Sequence, residues 1–350
     1  MGTPNIEELL TIAVKRGASD LHLATGLPPT IRVDGQLIAM EKYGAVSPKV
    51  MESIVYVMIT EAQKNRFITE RELDFAYEVE KVGRFRANLH WERDHIGLVA
   101  RVIPGRIPTM EELGMPEVVF KLARMDQGLI LITGPTGHGK STSLAAIINL
   151  INEERSAHIV TLEDPIEFIF EPKRSIVKQR QLGTDILSFA EGLKHVLRQD
   201  PNIIMVGEMR DLETISAAIT IAETGHLVLA TLHTYSASQT IDRIIDIFPP
   251  YQQNQVRLQV SMTLKSVISQ RLVPKKNGGR TAVREILINT PAVSTLIRDN
   301  KIAQIKTAIQ TGASEGMVPM DQELINLYQQ GVIDKNIAAL YMLNPERLDE

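Results

Sequence analysis

Apolar positions along this chain follow two periods, and the places where the period changes divide it. Ile6, Leu9, Leu10 and Ala13 share one face of a short helix that ends near Gly17. Residues 30–33 and 36–40 flank Asp34-Gly35, a pair that favours a tight hairpin turn. Ser47-Pro48 then opens a second helix, with Ser as cap and Pro in the first turn. Over residues 84–91, Phe85, Ala87, Leu89 and Trp91 alternate with Arg84, Arg86, Asn88 and His90, the period of a strand with one buried face. Residues 98–103 predict a further strand whose one charge is Arg101.

The stretch 104–116 carries Pro104, Pro108, Pro116 and two glycines, and reads as an interdomain linker. Within it Thr109 and Glu112 have capping-box spacing, which predicts the start of a short helix. Beyond it, apolar runs at 129–132, 159–162, 203–206 and 227–230 alternate with helical segments. That alternation predicts a wound α/β core with a largely parallel sheet. From Pro291 onward only helices are expected, punctuated by Gly312, Gly316 and Gly331. The expected division is therefore an α+β domain over 1–103, a linker over 104–116, an α/β core over 117–290 and a helical tail over 291–350.

Composition narrows the function. A net charge of −4 gives no electrostatic case for a direct nucleic-acid partner. The absence of cysteine excludes disulfides and cysteine-ligated zinc. The first 16 residues lack the basic-then-apolar layout of a signal peptide. No apolar run approaches the roughly 20 residues of a membrane span. The expectation is a cytoplasmic protein without a transmembrane segment, touching membranes only through a partner.

The chemistry starts at Gly134-Pro-Thr-Gly-His-Gly-Lys-Ser141, which matches the phosphate-loop pattern in full and sits between a predicted strand and a predicted helix. Gly134, Pro135, Thr136, Gly137, His138 and Gly139 would line the loop, where glycines let backbone N–H groups converge on phosphate oxygens. The helix N-terminus, with Thr142 in its first turn, adds partial positive charge. Lys140 supplies a mobile full charge for the β- and γ-phosphates, and Ser141 a hydroxyl for Mg²⁺. The expected ligands are ATP and Mg²⁺.

Two acidic sites follow predicted strands: Glu163 and Asp164, with Glu167 nearby, and Glu208 after Gly207. Ligands of open α/β sheets gather at such strand ends. Either site suits the group that orients or activates the attacking water. Asp164-Pro165 equally reads as the start of a turn, and Glu208 as a base or as a water-mediated holder of magnesium. His226 precedes the strand at 227–230 and His233 follows it; a lone histidine at such a place is more often structural than catalytic. Arg86 and Arg101 fit either a solvated strand face or a pair of guanidinium groups aimed at a nucleotide.

The phosphate loop together with Ile159-Val-Thr-Leu-Glu-Asp-Pro-Ile-Glu167, Ile203-Ile-Met-Val-Gly-Glu-Met-Arg-Asp211 and Thr224-Gly-His-Leu-Val-Leu-Ala-Thr-Leu-His-Thr234 resembles the four ordered boxes of the secretion ATPase superfamily. Ala18-Ser-Asp-Leu-His-Leu23 also resembles it. Short length and no N-terminal extension resemble its branch of type IV pilus retraction motors. The resemblance implies a PAS-like N-terminal domain, a RecA-like ATPase domain and a homo-hexamer. It implies that Glu163 is the catalytic glutamate, Glu208 the Walker B acid, and His226 and His233 sensors or structural links near the γ-phosphate. It also implies that Arg86 and Arg101 engage nucleotide across a domain or subunit boundary, and that the partner is an inner-membrane pilus platform protein. His138 stands where the family commonly has Ser. Ala292-Val-Ser-Thr-Leu-Ile297 keeps only the ends of the retraction-associated Ala-Ile-Arg-Asn-Leu-Ile. Residues 270–279 lack the cysteines usual in assembly and type II secretion ATPases. An assembly or secretion motor of the same superfamily, a non-hydrolysing nucleotide-dependent regulator and a DNA motor are the alternatives.

Overall fold

The computed structural model describes residues 5–33, 35–103 and 105–348, so Asp34 of the predicted hairpin turn and Pro104 of the predicted linker lie outside the described residues. The chain divides into two compact units, Met1–Arg106 with Pro165–Ile169, and Ile107–Asp164 with Phe170–Glu350.

Among the described residues the first unit is an antiparallel sheet with three α-helices. Its strands are β1 (Asp20–Ala24), β2 (Thr30–Val33), β3 (Gln36–Ala39), β4 (Glu72–Val79), β5 (Gly83–Glu92) and β6 (His95–Ile103), in the order β3-β2-β1-β6-β5-β4. The helices Ile6–Lys15, Pro48–Tyr56 and Glu61–Glu70 begin at side-chain caps from Asn5, Ser47 and Thr60, the last in a full capping box with Gln63. Their apolar sides (Leu9, Leu10, Met51, Val55, Phe67) join Leu21, Ile31, Phe85, Leu89 and Leu98 in one core. The alternation in β5 puts Phe85, Ala87 and Leu89 into that core, so Arg86 faces the other way. On that other face the register sets Arg32, Asp20, Arg101 and Arg86 side by side on four neighbouring strands.

The second unit is built on a seven-stranded sheet: β7 (Gly128–Thr133), β8 (His158–Glu163), β9 (Ile176–Gln181), β10 (Ile203–Val206), β11 (Leu227–Leu232), β12 (Leu264–Pro274) and β13 (Arg280–Ile288). The order is β13-β12-β7-β11-β10-β8-β9, every neighbouring pair being parallel except β12 with β13. Every residue of β7, β10 and β11 is buried, as expected when helices cover both faces of a parallel sheet. The four apolar runs are thus the central strands, while β9, β12 and β13 carry too many polar residues to announce themselves.

Thr109 and Glu112 do exchange the capping bonds, at 2.9 and 3.2 Å. They close turns rather than the predicted helix, ending in a Met115 N–H to Met110 carbonyl bond. Met110 and Met115 are buried, so this half of the predicted linker packs as part of the second unit. The tail is helical and integral: Val293, Ile297 and Ile305 enter the main core, and Met320, Leu324 and Ala338 pack with Val273 and Val283 of the β12–β13 hairpin. Among the described residues no helix is long and apolar enough to cross a membrane.

Candidate active site at the edge of the parallel sheet

Parallel pairing brings the strand ends level. Thr133 lies beside Leu232, and Leu162 beside Val206, which lies beside Ala230. The residues that follow, Gly134, Glu163, Glu208 and His233, therefore gather along one edge, where such sheets place their ligands. The phosphate loop runs from β7 into the 15-residue helix Lys140–Glu154. Gly134, Gly137 and Gly139 have φ of 143°, 77° and 79°, values that favour glycine. A Cβ on Gly134 would stand 2.2 Å from the Gln270 carbonyl oxygen, so the loop leans directly on β12. Lys140 is buried and folds back into the loop, donating to the carbonyls of Gly134 and Pro135 at 2.8 and 2.9 Å. Ser141 and Thr142 occupy the first turn of the helix, whose partial positive charge faces the loop.

Glu163 ends β8 and is buried; its Oε1 accepts from the Thr161 hydroxyl at 2.7 Å and the Gln179 amide at 2.9 Å. Two bonds to one oxygen fix the carboxyl plane. Glu208 is held differently, by Arg210 at 2.8 Å and by His233 Nε2 at 3.2 Å. Gly207 packs closely on the end of β8, where an added Cβ would lie 3.2 Å from the Leu162 carbonyl oxygen. His233 also reaches Thr136 of the phosphate loop, Nδ1 to Oγ1, at 3.4 Å. The imidazole thereby connects the loop to Glu208. With Nε2–H donating to the carboxylate, Nδ1 accepts from the hydroxyl.

His226 does not belong to this cluster. It precedes β11, and its carbonyl accepts from Gly128 at the start of β7. That is the opposite edge of the sheet, about 20 Å away along a six-residue strand at the usual rise. Its Nδ1 meets the Thr224 hydroxyl at 3.1 Å and the Ile221 carbonyl at 3.2 Å, bonds that tie a helix end to a strand start. The expected place near this chain's own γ-phosphate site is therefore corrected to a structural link.

In the first unit Arg101 donates to Asp20 at 2.9 Å, and Arg86 pairs with Glu167 at 3.7 Å. Burial pushes the Asp20 carboxyl up, but the Ser19 hydroxyl and the Arg101 guanidinium outweigh it and hold the carboxyl below its ordinary range. Asp20 stood in the Ala18–Leu23 run without an assigned role. The signal that could have marked it is an acid at the one strand position that faces two arginines.

The residues present fit a nucleoside phosphate. The loop keeps side chains off its inner wall, and a buried lysine waits on two carbonyls that phosphate oxygens can replace. Among the described residues no group of three or more histidines and carboxylates could hold a metal alone. A divalent ion there would rest on Ser141, Glu208 and the phosphates, the usual sparse protein ligation of magnesium.

Comparison with known proteins agrees with this geometry. The family described as type II/IV secretion system protein matches residues 3–320. The type IV pilus retraction ATPase PilT of Pseudomonas aeruginosa is 49% identical over 342 residues, covering 98% of this chain and 99% of that protein. A twitching motility protein of Neisseria gonorrhoeae is 45% identical over 321 residues, covering 91% of this chain and 86% of its own. A crystal structure of the pilus retraction motor PilT with bound ADP superimposes with a TM-score of 0.91 at 44% identity, covering 99% of both chains.

The lean of the loop on β12 makes Gly134 testable. Gly134→Ala has no room for its Cβ against a backbone oxygen. Calorimetric titration of the folded variant should show ADP affinity reduced by at least about tenfold, the scale of a lost hydrogen bond or more. Wild-type affinity would show that the loop does not depend on this contact.

Proposed function

The chain belongs to the type II/IV secretion system protein family, and we propose that within it this protein is an ATP-hydrolysing motor that drives retraction of type IV pili. The observation that carries this reading is the match to a retraction ATPase over nearly the full length of both chains. The converging phosphate loop, Glu163, Glu208 and His233 support hydrolysis over mere binding, which disfavours the regulator alternative.

ATP would bind with its phosphates in the loop, Lys140 exchanging two carbonyls for phosphate oxygens. Mg²⁺, held by Ser141 and through water by Glu208, supplies positive charge to the β- and γ-phosphates when bound. Glu163 takes the proton of the water that attacks the γ-phosphorus, and ADP leaves. Glu163 suits the base because it is buried at the strand end and oriented by a hydroxyl and an amide. His233 carries the state of the loop to Glu208.

The family resemblance supports a homo-hexameric ring, formed by a head-to-tail contact that closes. We assign Arg86 and Arg101 to the nucleotide of a neighbouring copy, with Glu167 and Asp20 fixing the guanidinium groups between engagements. The ring works in the cytoplasm, at the inner membrane, on a pilus platform protein.

Deletion of the gene should leave cells over-piliated and unable to twitch, and Lys140→Ala should fail to restore them. Bald cells would mean an assembly motor instead. Purified Arg101→Ala and Lys140→Ala should each be nearly inactive, an arginine finger carrying a rate factor of about 10³. Mixed, they should regain measurable ATPase activity, because a loop from one and an arginine from the other complete a site. Absence of recovery would place the arginine outside the neighbour's site.

A further inference from the structure

Beside the phosphate loop, β12 carries Gln270, and across the β12–β13 pairing stands Arg284; each is only 2% exposed. Burying a guanidinium is costly unless its donors are used. Arg284 Nε donates to Gln270 Oε1 at 2.9 Å, and its terminal nitrogens donate to the carbonyls of Gly114 and Leu113 at 3.2 and 3.0 Å. Burial pushes its pKa down to about 10, which leaves it charged at neutral pH.

A guanidinium can only donate, so Arg284 decides which end of the Gln270 amide faces it. The Ser143 hydroxyl donates to the same Oε1 at 2.8 Å. The amide nitrogen is left facing the loop, where it donates to the His138 carbonyl at 2.8 Å. In a trans peptide the C=O of one residue and the N–H of the next point in opposite directions. Pinning the His138 carbonyl towards β12 therefore turns the Gly139 N–H away from β12. The loop packs onto this amide closely: a Cβ on Gly139 would lie 3.0 Å from Gln270 Nε2. A second pin comes from the His138 side chain, whose Nδ1 accepts from the Leu272 N–H at 2.9 Å. A backbone N–H cannot accept, so Nδ1 carries no proton. Burial, then the nearby Lys140, Arg280 and Arg271, push the imidazole below its ordinary range.

We propose that Gln270 is a positioning residue for the nucleotide phosphates, oriented by Arg284, and that the Leu113–Gly114 turn sets the shape of the phosphate loop through these same bonds. The turn is where the chain enters the second unit, so a shift there would be felt at the loop as a change in nucleotide affinity. This inference rests on the ATPase reading.

The test measures steady-state ATPase kinetics and ADP titration on the full chain for Gln270→Glu and Arg284→Lys, with Lys140→Ala alongside. Gln270→Glu keeps both acceptor bonds but sets a carboxylate oxygen against the His138 carbonyl. KM for ATP and Kd for ADP should rise by at least about tenfold while kcat changes by less than about threefold, the scale of one lost hydrogen bond acting on binding. Arg284→Lys keeps the charge but has no planar fork for three acceptors, and should shift KM in the same direction by less. If Gln270→Glu does not fold, Gln270→Met removes the amide at similar length and is read in the same way. KM and Kd within about twofold of wild type in a folded variant overturn the inference. So does a fall in kcat at unchanged KM in a folded variant, the mark of an interaction made only in the transition state and not in phosphate binding. Wild-type protein that neither binds ADP nor responds to Lys140→Ala sinks the ATPase reading and this inference with it. An indifferent Gln270 in an ADP-binding wild type sinks this inference alone.

Discussion

Strand β7 hydrogen-bonds in parallel to β11 on one side and to β12 on the other, and the site exists because of those two ladders. Parallel strands must be reached by crossovers, so every strand of the sheet except β13 returns in the same direction and ends on the same edge. That edge collects an anion cradle, two carboxylates and an imidazole from segments about 100 residues apart in sequence, such as Thr136 and His233. A slip of one residue would send each strand's side chains to the opposite face and separate the set. Every residue of β7, β10 and β11 is buried, so both faces of these strands are packed.

On that frame the polar groups act as pins. Each buried hydrogen bond adds only about 0.5–1.5 kcal/mol net, while each unmet donor costs about 1–3 kcal/mol. Their larger role is to fix direction: Thr161 and Gln179 set the Glu163 carboxyl plane, Arg210 and His233 hold Glu208, and Gln270 and Leu272 hold the loop from below. His138, an odd residue for a phosphate loop when judged by local polarity, is accounted for by its bond to the β12 backbone. The loop's shape is thus decided by a strand more than 130 residues downstream.

Local pattern exposed what is local. The first two helices of the first unit, the phosphate loop and the four central strands follow from period and spacing alone, and β5 alternates as read, whereas the helix Glu61–Glu70 is absent from that reading. Long-range pairing stayed hidden. The β12–β13 hairpin holds Ser266, Ser269, Gln270 and Arg284, whose burial makes sense only once their partners on the loop, the turn and β7 are known. Thr109 and Glu112 formed their bonds without a helix because buried methionines, not propensity, decide that turn. His226 and His233 look equivalent in sequence, one on each side of a strand. The direction of that strand separates them, and direction is a property of the sheet.

The proposed reaction at this edge is ATP hydrolysis with Glu163 as the base. Glu163→Gln is its most direct test, because glutamine can still accept from Thr161 and so preserves the site's shape while losing the proton acceptor. Single-turnover hydrolysis and nucleotide titration on the purified variant should give near-wild-type ADP affinity with hydrolysis slowed by at least about 100-fold, the scale of a missing acid–base group. Hydrolysis at the wild-type rate in a folded, nucleotide-binding variant would contradict it.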